Sequence, residues 1–522
     1  MKRILRFLFS RYFVCAIFIV IELFVMLVLF EYALAFVAAF SIIARVFAVL
    51  IFIGLINRDT NHEFKLAWIA LAAVAPVFGS ALYLIFSSKR LTRSEERIAR
   101  GIGEAIAASK SLEIDKEISD KCLSALALSD PYAAGRAYAA MGCDSTACLF
   151  PNEGMRYYKT GEEMWEDMCR EIELARRYVY LEYFIIEDGV MWQKIYTLLK
   201  QKAKEGVDVR IIYDDVGCIG RLPRTFCKEL CEAGIDCRAF FPIGPTLLRS
   251  HNNRDHRKIL AIDGTVAFTG GINVADEYIN VSHPLGHWKD GGVMVRGAAA
   301  RGFVRMFLIS YDLAAHCVSD YDAPFIPHGC GDSRENGTQT EGGFVMPISS
   351  GPAPLYANSQ GRAALMNMIN GAARSLYITT PYLIIDYGLT EALKYAALRG
   401  VDVRIITPGV PDKRIINVMT KSSYESLCKA GVRIFEYTPG FMHGKVAIAD
   451  GKCALVGSIN LDYRSLAHHF EDALAIYSCD TVADITTDFY ATLEKCTEAS
   501  ASSLPLGAKA VATVMRIIAP LL

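Results

Sequence analysis

His256 and Lys258 stand two residues apart, and so do His443 and Lys445. Each pair opens the same pattern, His-x-Lys-x4-Asp-Gly, which ends at Asp263-Gly264 in one place and Asp450-Gly451 in the other. A small-residue pair and an Asn follow both times, as Gly270-Gly271-Ile272-Asn273 and Gly457-Ser458-Ile459-Asn460. His to Asn is 17 positions in each copy, 273 − 256 and 460 − 443. A lone His-x-Lys carries little weight, because most histidines are structural or superficial. A copied one with matched spacing is a functional unit used twice.

These residue types suit a phosphate. Lysine offers phosphate oxygens a point charge. Histidine serves near neutral pH as nucleophile or proton carrier. Two units brought face to face put a His on each side of one phosphorus. One attacks and forms a phosphohistidine. The other protonates the leaving alcohol and then deprotonates the incoming one, which is covalent catalysis in two steps. Lys258, Lys445, Asn273 and Asn460 would hold the transition-state charge. The lysines supply the positive charge, so neither a metal nor a cofactor is expected.

The flanking elements must aim these groups. Asp-Gly between apolar runs (Val266 to Thr269, Cys453 to Val456) predicts a hairpin. On its first strand His and Lys share a face. Asp263 and Asp450 read as readily as turn formers as they do as chemical groups. The repeat extends further out. Tyr178 to Ile186 parallels Leu376 to Ile384, and Gly206-Val-Asp-Val-Arg-Ile-Ile212 recurs as Gly400 to Ile406. Ala233-Gly234-Ile235 and Ala430-Gly431-Val432 start a third strand in each copy. Strand–helix–strand–helix–strand predicts a parallel sheet with crossovers, and its β-branched runs suit strands buried on both faces. Glu182-Tyr183 and Pro381-Tyr382 would lie at the carboxyl ends, where ligands gather; packing explains them equally well. The first copy carries an extra loop, Ile243 to Asp255, whose Arg249, His251 and Arg254 would sit in a solvated segment or line the entry of an anionic substrate. The neighbouring His283, His287, His468 and His469 are unmatched between the copies and read as surface or supporting residues.

The duplicated His-x-Lys-x4-Asp resembles the signature of the phospholipase D superfamily. The resemblance implies that His256 and His443 are catalytic, with His256 as nucleophile by analogy. It implies that Lys258, Lys445, Asn273 and Asn460 bind phosphate, and that Asp263 and Asp450 are more structural than chemical. Members often carry a downstream acidic residue that orients each His; here the second copy offers Glu471, 11 after Asn460, and the first Asp290, 17 after Asn273. The apolar leader, Leu66-Ala67-Trp68, Trp288-Lys289-Asp290, Ser458 to Ser465 and the Pro-Leu-Leu terminus look like the bacterial cardiolipin synthases within that superfamily. One departure is Lys289, where the family usually has Arg. The implied reaction transfers a phosphatidyl group between two phosphatidylglycerol molecules and releases glycerol. A membrane-bound hydrolytic phospholipase D making phosphatidic acid would share every one of these residues.

Composition sets the frame. The 522 residues allow two or three domains. A net charge of −1 argues against a nucleic-acid partner. The 15 cysteines lack paired spacing and fit a reducing compartment better than a disulfide framework. An apolar block from about Tyr12 to Ile56 is long enough for two membrane spans, and a third block runs from Leu66 to Phe86 with Pro76 inside it. Basic residues flank both ends, which favours an even number of crossings, one segment not fully spanning, and a catalytic part on the cytoplasmic face of a bacterial plasma membrane. The expected layout is a membrane-anchoring helical region over residues 1–94 and a helical connector over 95–150. Two α/β halves with parallel or mixed sheets follow, over 151–330 and 331–522, divided near the Gly/Ser/Asn-rich passage Gly329 to Gly343. The tail beyond Ala499 reads as an amphipathic helix that packs on the domain or touches the membrane.

Overall fold

The two copies fold as two sheets with one strand order. The computed structural model describes residues 11–32, 34–58, 61–86, 92–144, 146–242, 253–325, 342–353, 355–356, 360–499 and 504–521. The first copy supplies β1 (Met155–Tyr158), β2 (Tyr178–Tyr183), β3 (Asp208–Asp214), β4 (Asp236–Phe240), β5 (Lys258–Ile262), β6 (Val266–Gly270) and β7 (Gly292–Arg296). They lie in the order β1-β7-β6-β5-β2-β3-β4. The second copy supplies β8 (Phe344–Ser350), β9 (Ser375–Thr379), β10 (Asp402–Pro408), β11 (Arg433–Tyr437), β12 (Val446–Ala449), β13 (Cys453–Gly457) and β14 (Glu471–Tyr477). Their order is β8-β14-β13-β12-β9-β10-β11, with short strands Phe150–Pro151 and Cys496–Glu498 added at the two edges. Each strand of the second sheet stands where the strand seven numbers earlier stands in the first.

The connections explain the mixed directions. Helices Val190–Lys204 and Phe226–Glu232 return the chain, so β2, β3 and β4 run parallel. Helices Tyr387–Leu398 and Arg414–Lys429 do the same for β9, β10 and β11. The recurring Gly-Val-Asp-Val-Arg-Ile-Ile becomes β3 and β10, each central and parallel. The Asp-Gly turns make β5 antiparallel to β6 and β12 antiparallel to β13. Both turn residues have positive φ in each copy, 53° and 71° at Asp263-Gly264 and 57° and 66° at Asp450-Gly451, which is the backbone that Asp-Gly tolerates best. The sheets are thus parallel on one side and antiparallel on the other, with the His-Lys hairpins joining β2 and β9 at the seam.

Three helices, Arg93–Ala107, Lys110–Ser129 and Pro131–Met141, precede the first sheet. Their small residues allow close approach. Ala133, Ala134, Ala137 and Ala140 lie in the core of the second copy with Leu365, Met368 and Ile369. Buried Asp115 pairs with Arg301 and Arg305 on the helix Ala300–Ala315 of the first copy.

The chain divides into two compact units. One holds Arg93–Pro242 and Asn253–Pro505; the other holds Met1–Thr92, Ile243–Asn252 and Leu506–Leu522. In the second of these, helices Arg11–Tyr32 and Leu34–Ile56 are followed by His62–Val74 and Pro76–Phe86. The third apolar block is therefore broken at Ala75-Pro76 into helices of 13 and 11 residues. They fold back on each other closely enough that a Cβ at Gly79 would lie 2.4 Å from the Leu71 carbonyl oxygen. Ile51, Leu55, Trp68, Leu82 and Tyr83 form the core of this unit. The helix Leu506–Ile518 packs on His62–Val74. Among the described residues no helix is long and apolar enough to cross a membrane; the described side chains of the first two helices stop at Val28 and resume beyond residue 39. The passage read as the boundary between the copies, Gly329 to Gly343, lies outside the described residues up to residue 341, and so do Arg249 and His251.

Candidate active site

Each motif histidine is held by backbone from the other copy. The His256 N–H donates to the Phe470 carbonyl, and the Phe470 N–H to the Arg254 carbonyl, both at 2.9 Å. The His443 N–H donates to the Lys289 carbonyl at 2.8 Å, at the end of a short parallel pairing of Gly440–Met442 with His287–Lys289. The residue following each partner is the acid. Glu471 meets His256 Nδ1 at 2.9 Å, and Asp290 meets His443 Nδ1 at 2.6 Å. The acids offered by the two copies are therefore exchanged: the second copy's orients the first copy's His, and the reverse. A carboxylate accepts the Nδ1 proton, which leaves the Nε2 lone pair for chemistry.

The acids are themselves fixed. Glu471 accepts from the Ser458 hydroxyl at 2.5 Å and from the Ser465 hydroxyl at 2.6 Å. Asp290 accepts from the Gly291 N–H at 2.8 Å. The small-residue pair explains itself here. A Cβ on Gly271 would meet Asp290 Oδ1 at 2.1 Å, so glycine makes room for the acid. At the equivalent place in the second copy, Ser458 has room for a hydroxyl that bonds to Glu471. That Gly-Gly against Gly-Ser difference is the sequence signal for Ser458, and Ser465 closes the stretch that carries the family resemblance; nothing comparable marks Tyr278.

Lys258 and Lys445 are buried, and each ammonium bonds to the carbonyl of its own motif histidine, at 2.6 and 2.5 Å. Asn273 accepts from the Ile185 N–H at 3.1 Å and donates to the Tyr278 hydroxyl at 2.7 Å. The Asn460 side-chain oxygen is buried with no hydrogen-bond partner. Phe184 sets its edge against His256, ring centres 5.0 Å apart, and Tyr278 against His443 at 5.3 Å. The six residues His256, Lys258, Asn273, His443, Lys445 and Asn460 thus come from equivalent positions of the two sheets.

Burial sets the charge states. Desolvation, then the two lysines, hold His256 well below the ordinary histidine value. Desolvation and Lys445 bring His443 down to about 4, against the opposing pull of Asp290. Burial lowers Lys258, and it brings Lys445 to about 7. Burial alone would raise Asp290, but His443 and Lys445 outweigh it and keep Asp290 below its usual value. Near neutral pH the site presents two neutral imidazoles beside two lysines whose charge burial disfavours. This arrangement can bind a phosphodiester, attack it, and pass a proton on its far side.

The structure does not bring Asp263 and Asp450 to the histidines. They sit at the opposite ends of β5 and β12. Asp263 accepts from the N–H groups of Arg176, Arg177 and Tyr178 at 2.8–3.0 Å. Asp450 accepts from those of Ala373, Arg374 and Ser375, and pairs with Arg136 at 3.1 Å. Each bolts its hairpin to the start of the neighbouring strand.

Arg254 corrects another expectation. It neither lines an entry nor lies in solvent. It is buried against Asp214 at 2.9 Å and donates to the Phe240 and Phe241 carbonyls. Glu182 is buried with Asp255 and 3.9 Å from Arg257, and the Tyr382 hydroxyl bonds to Asp412 at 2.7 Å. His287 contacts the Tyr437 hydroxyl at 3.1 Å. His469 lies closer to the site than its sequence context suggested. Its ring centre is 5.7 Å from that of His256, and its Nδ1 is 3.7 Å from Glu471. His256, His469 and Glu471 place one potential ligand atom each within 4.8 Å of one another.

Known proteins are similar to this chain. Residues 168–285 and 365–493 match the family model described as cardiolipin synthase, phospholipase D-like domain. Residues 33–87 match the model described as phospholipase D-nuclease N-terminal. A cardiolipin synthase of Halalkalibacterium halodurans is 32% identical over 461 residues, 88% of each chain. One of a Geobacillus species is 32% identical over 90% of this chain and 91% of its own. An uncharacterised protein of Streptococcus mutans is 41% identical over 72% of this chain and 80% of its own. Among solved structures, the phosphatidylserine synthase of Haemophilus influenzae superposes with a TM-score of 0.56 at 14% identity, over 74% of this chain and 98% of its own; that likeness is one of fold.

Proposed function

The chain belongs to the phospholipase D-like cardiolipin synthase family, and from that membership we propose that it joins two phosphatidylglycerol molecules into cardiolipin and glycerol through a phosphohistidine. The observation that carries the reading is the pair of buried His-Lys units, each histidine backed at Nδ1 by an acid from the opposite copy.

His256 Nε2 attacks phosphorus, with Glu471 keeping the Nδ1 proton. The P–O bond to glycerol breaks as the P–N bond forms, and His443 gives its proton to the leaving oxygen. The phosphodiester's own negative charge favours that protonated His443 once substrate is bound. The terminal hydroxyl of a second phosphatidylglycerol then loses its proton to His443 and attacks phosphorus, and the P–N bond breaks. Lys258, Lys445, Asn273 and Asn460 hold the non-bridging oxygens. Asp263 and Asp450 act at a distance, by fixing the hairpins.

The unit containing the first helices holds the enzyme at a bacterial plasma membrane. Val20, Phe24, Leu27, Ile42 and Ile43 are each more than 60% exposed, a surface that calls for lipid. Helices Arg11–Tyr32 and Leu34–Ile56 have 22 and 23 residues, lengths that suit a crossing, whereas the broken third block does not. Two crossings leave both ends, and the catalytic unit, on the cytoplasmic side. The layout of anchor, helical connector and two catalytic halves over 1–94, 95–150, 151–330 and 331–522 belongs to the same reading.

The test is incubation of the membrane-embedded protein with labelled phosphatidylglycerol and mass-spectrometric reading of products. Cardiolipin with glycerol is expected, absent in H256A and H443A. Phosphatidic acid alone would replace the lipid acceptor by water. A phosphatidyl adduct on His256 that accumulates in H443A is expected; an adduct on His443 in H256A instead would exchange the two roles.

A further inference from the structure

His469 has no part in the transfer described above, yet it is built into the same corner as His256. Residues 254 to 256 and 470 run as a short parallel bridge, with Asp255 opposite Phe470. The two N–H···O bonds across it are both 2.9 Å. His469 and Glu471 flank Phe470, and both side chains approach the His256 ring. Two imidazoles and a carboxylate therefore converge without any movement of the backbone. The His469 Nε2 atom is buried with no hydrogen-bond partner. Glu471 already contacts both histidines, His256 Nδ1 at 2.9 Å and His469 Nδ1 at 3.7 Å.

The geometry points to an inhibitory divalent-metal site made by His256, His469 and Glu471, with the chemistry of zinc or cobalt(II). Two imidazoles and one carboxylate are a ligand set these cations accept, and three protein ligands leave a fourth position for water. A hard cation such as magnesium, which prefers oxygen and keeps its water, is a poor match. Glu471 faces His256 at Nδ1, so a metal shared by the two takes Nδ1 and leaves the imidazole proton on Nε2; this removes the lone pair on which the proposed transfer depends and engages the acid that orients it. Lys258 and Lys445 stand beside the site and oppose a dication, so binding is weaker than at a structural zinc centre and reversible by chelators. The consequence is an enzyme that such a cation switches off.

Metal binding is read separately from lipid transfer, and only the inhibition rests on the function proposed above. The full-length protein in detergent is titrated with Co2+ and followed by visible absorption. A tetrahedral Co2+ spectrum that Zn2+ abolishes is expected. In H469N, affinity should fall by at least roughly 100-fold, since a direct ligand is lost, while H468N should bind as the parent does. In the lipid assay, Zn2+ should inhibit the parent and the chelator should restore it. H469N should keep the metal-free rate and escape inhibition. The proposal is overturned if Co2+ shows no tetrahedral spectrum, if H469N binds Co2+ as tightly as the parent, or if Zn2+ inhibits both alike. A protein inactive towards every phospholipid would leave the Co2+ result to decide on its own.

Discussion

Glu471 is hydrogen-bonded to His256 at 2.9 Å although 215 residues of chain separate them. The mirror contact joins Asp290 to His443, 153 residues apart. Neither histidine is thus oriented within its own copy. Half of the molecule would hold a His-Lys pair but not the acid that sets its tautomer. Replacing either acid by its amide keeps the shape and removes the fixed Nδ1 proton. E471Q and D290N are each expected to lower turnover by roughly 10³–10⁴-fold, the scale seen when an orienting carboxylate is lost, with thermal melting little changed. Steady-state cardiolipin formation in the two variants checks this, and a loss under tenfold would refute an orienting role.

The pH profile follows from burial of the two motifs. His256 and His443 are neutral down to acid pH, His443 titrating at about 4. Lys445 titrates at about 7, because burial disfavours its charge. The transfer needs His256 neutral and His443 protonated, so kcat/KM, which reports the free enzyme, should decline as pH rises above about 4 and gain a further alkaline limb above 7, where Lys445 loses its charge. K445R keeps its charge throughout. It should remove the alkaline limb, whatever it does to the maximal rate. An alkaline limb unchanged in K445R would assign that limb to another group.

The same lysine costs stability, and the sign can be worked out. Its folded value of about 7 lies below the 10.5 of the free side chain. The unfolded chain therefore binds more protons between those two values, and stability rises with pH across that window. The deficit is complete below about 7 and gone above the ordinary lysine value. K445M should be inactive and melt higher than the parent at pH 7, with the difference shrinking as pH is raised towards 10. Paired melting curves at several pH values check it.

The residues that could be read from sequence were those whose spacing is local. The Asp-Gly turns and the strand-helix alternation follow from neighbours within ten or so positions, and each appears in the sheets as expected; the motif histidines, expected on the first strand of each hairpin beside their lysines, instead precede strands that begin at Lys258 and Val446. The exchange of Glu471 and Asp290 does not follow, because spacing within a copy says which strand an acid lies on and not which histidine it faces. Their unequal offsets, 11 and 17 from the Asn, arise where the first copy inserts the turn Asp276–Ile279 and the short strand His287–Lys289. That strand also pairs with Gly440–Met442, and its Lys289 carbonyl accepts the His443 N–H. Arg254 misled for the same reason. A charged residue in a polar stretch reads as solvated, and its partner Asp214 is 40 positions away.

Arg254 lies two residues before His256 and ties that segment to the end of β4 through the Phe240 and Phe241 carbonyls. Its ion pair with Asp214 is almost wholly buried. Removing one partner of such a pair leaves an uncompensated charge, at a cost of roughly 3–5 kcal/mol. R254M should lower the melting temperature of the catalytic unit clearly, and D214N/R254M should recover part of the loss. A double variant no better than R254M would show that the carbonyl contacts, and not the charge pair, dominate.

Asp263 and Asp450 test how far the conserved-looking motif is chemistry and how far it is architecture. Each carboxylate accepts three backbone N–H groups from the strand beside its turn. Charge-assisted bonds of this kind contribute roughly 1.5–3 kcal/mol each in favourable cases. Neither acid approaches a ring nitrogen of the motif histidines. D263A and D450A should therefore melt lower while turnover at a permissive temperature stays close to the parent's, the reverse of E471Q. For Asp450 the pH dependence adds a second check. Burial alone would raise its value, but the N–H groups of Arg374, Ser375 and Ala373, together with Arg136, outweigh it and hold it below the usual carboxylate range. Its stabilisation is present above the ordinary aspartate value and is lost as pH falls through the folded one. The melting difference between the parent and D450A should close in strong acid and stay constant above pH ~5. A turnover loss in D450A as large as that of E471Q, with melting unchanged, would move this aspartate from the hinge of the hairpin to the chemistry.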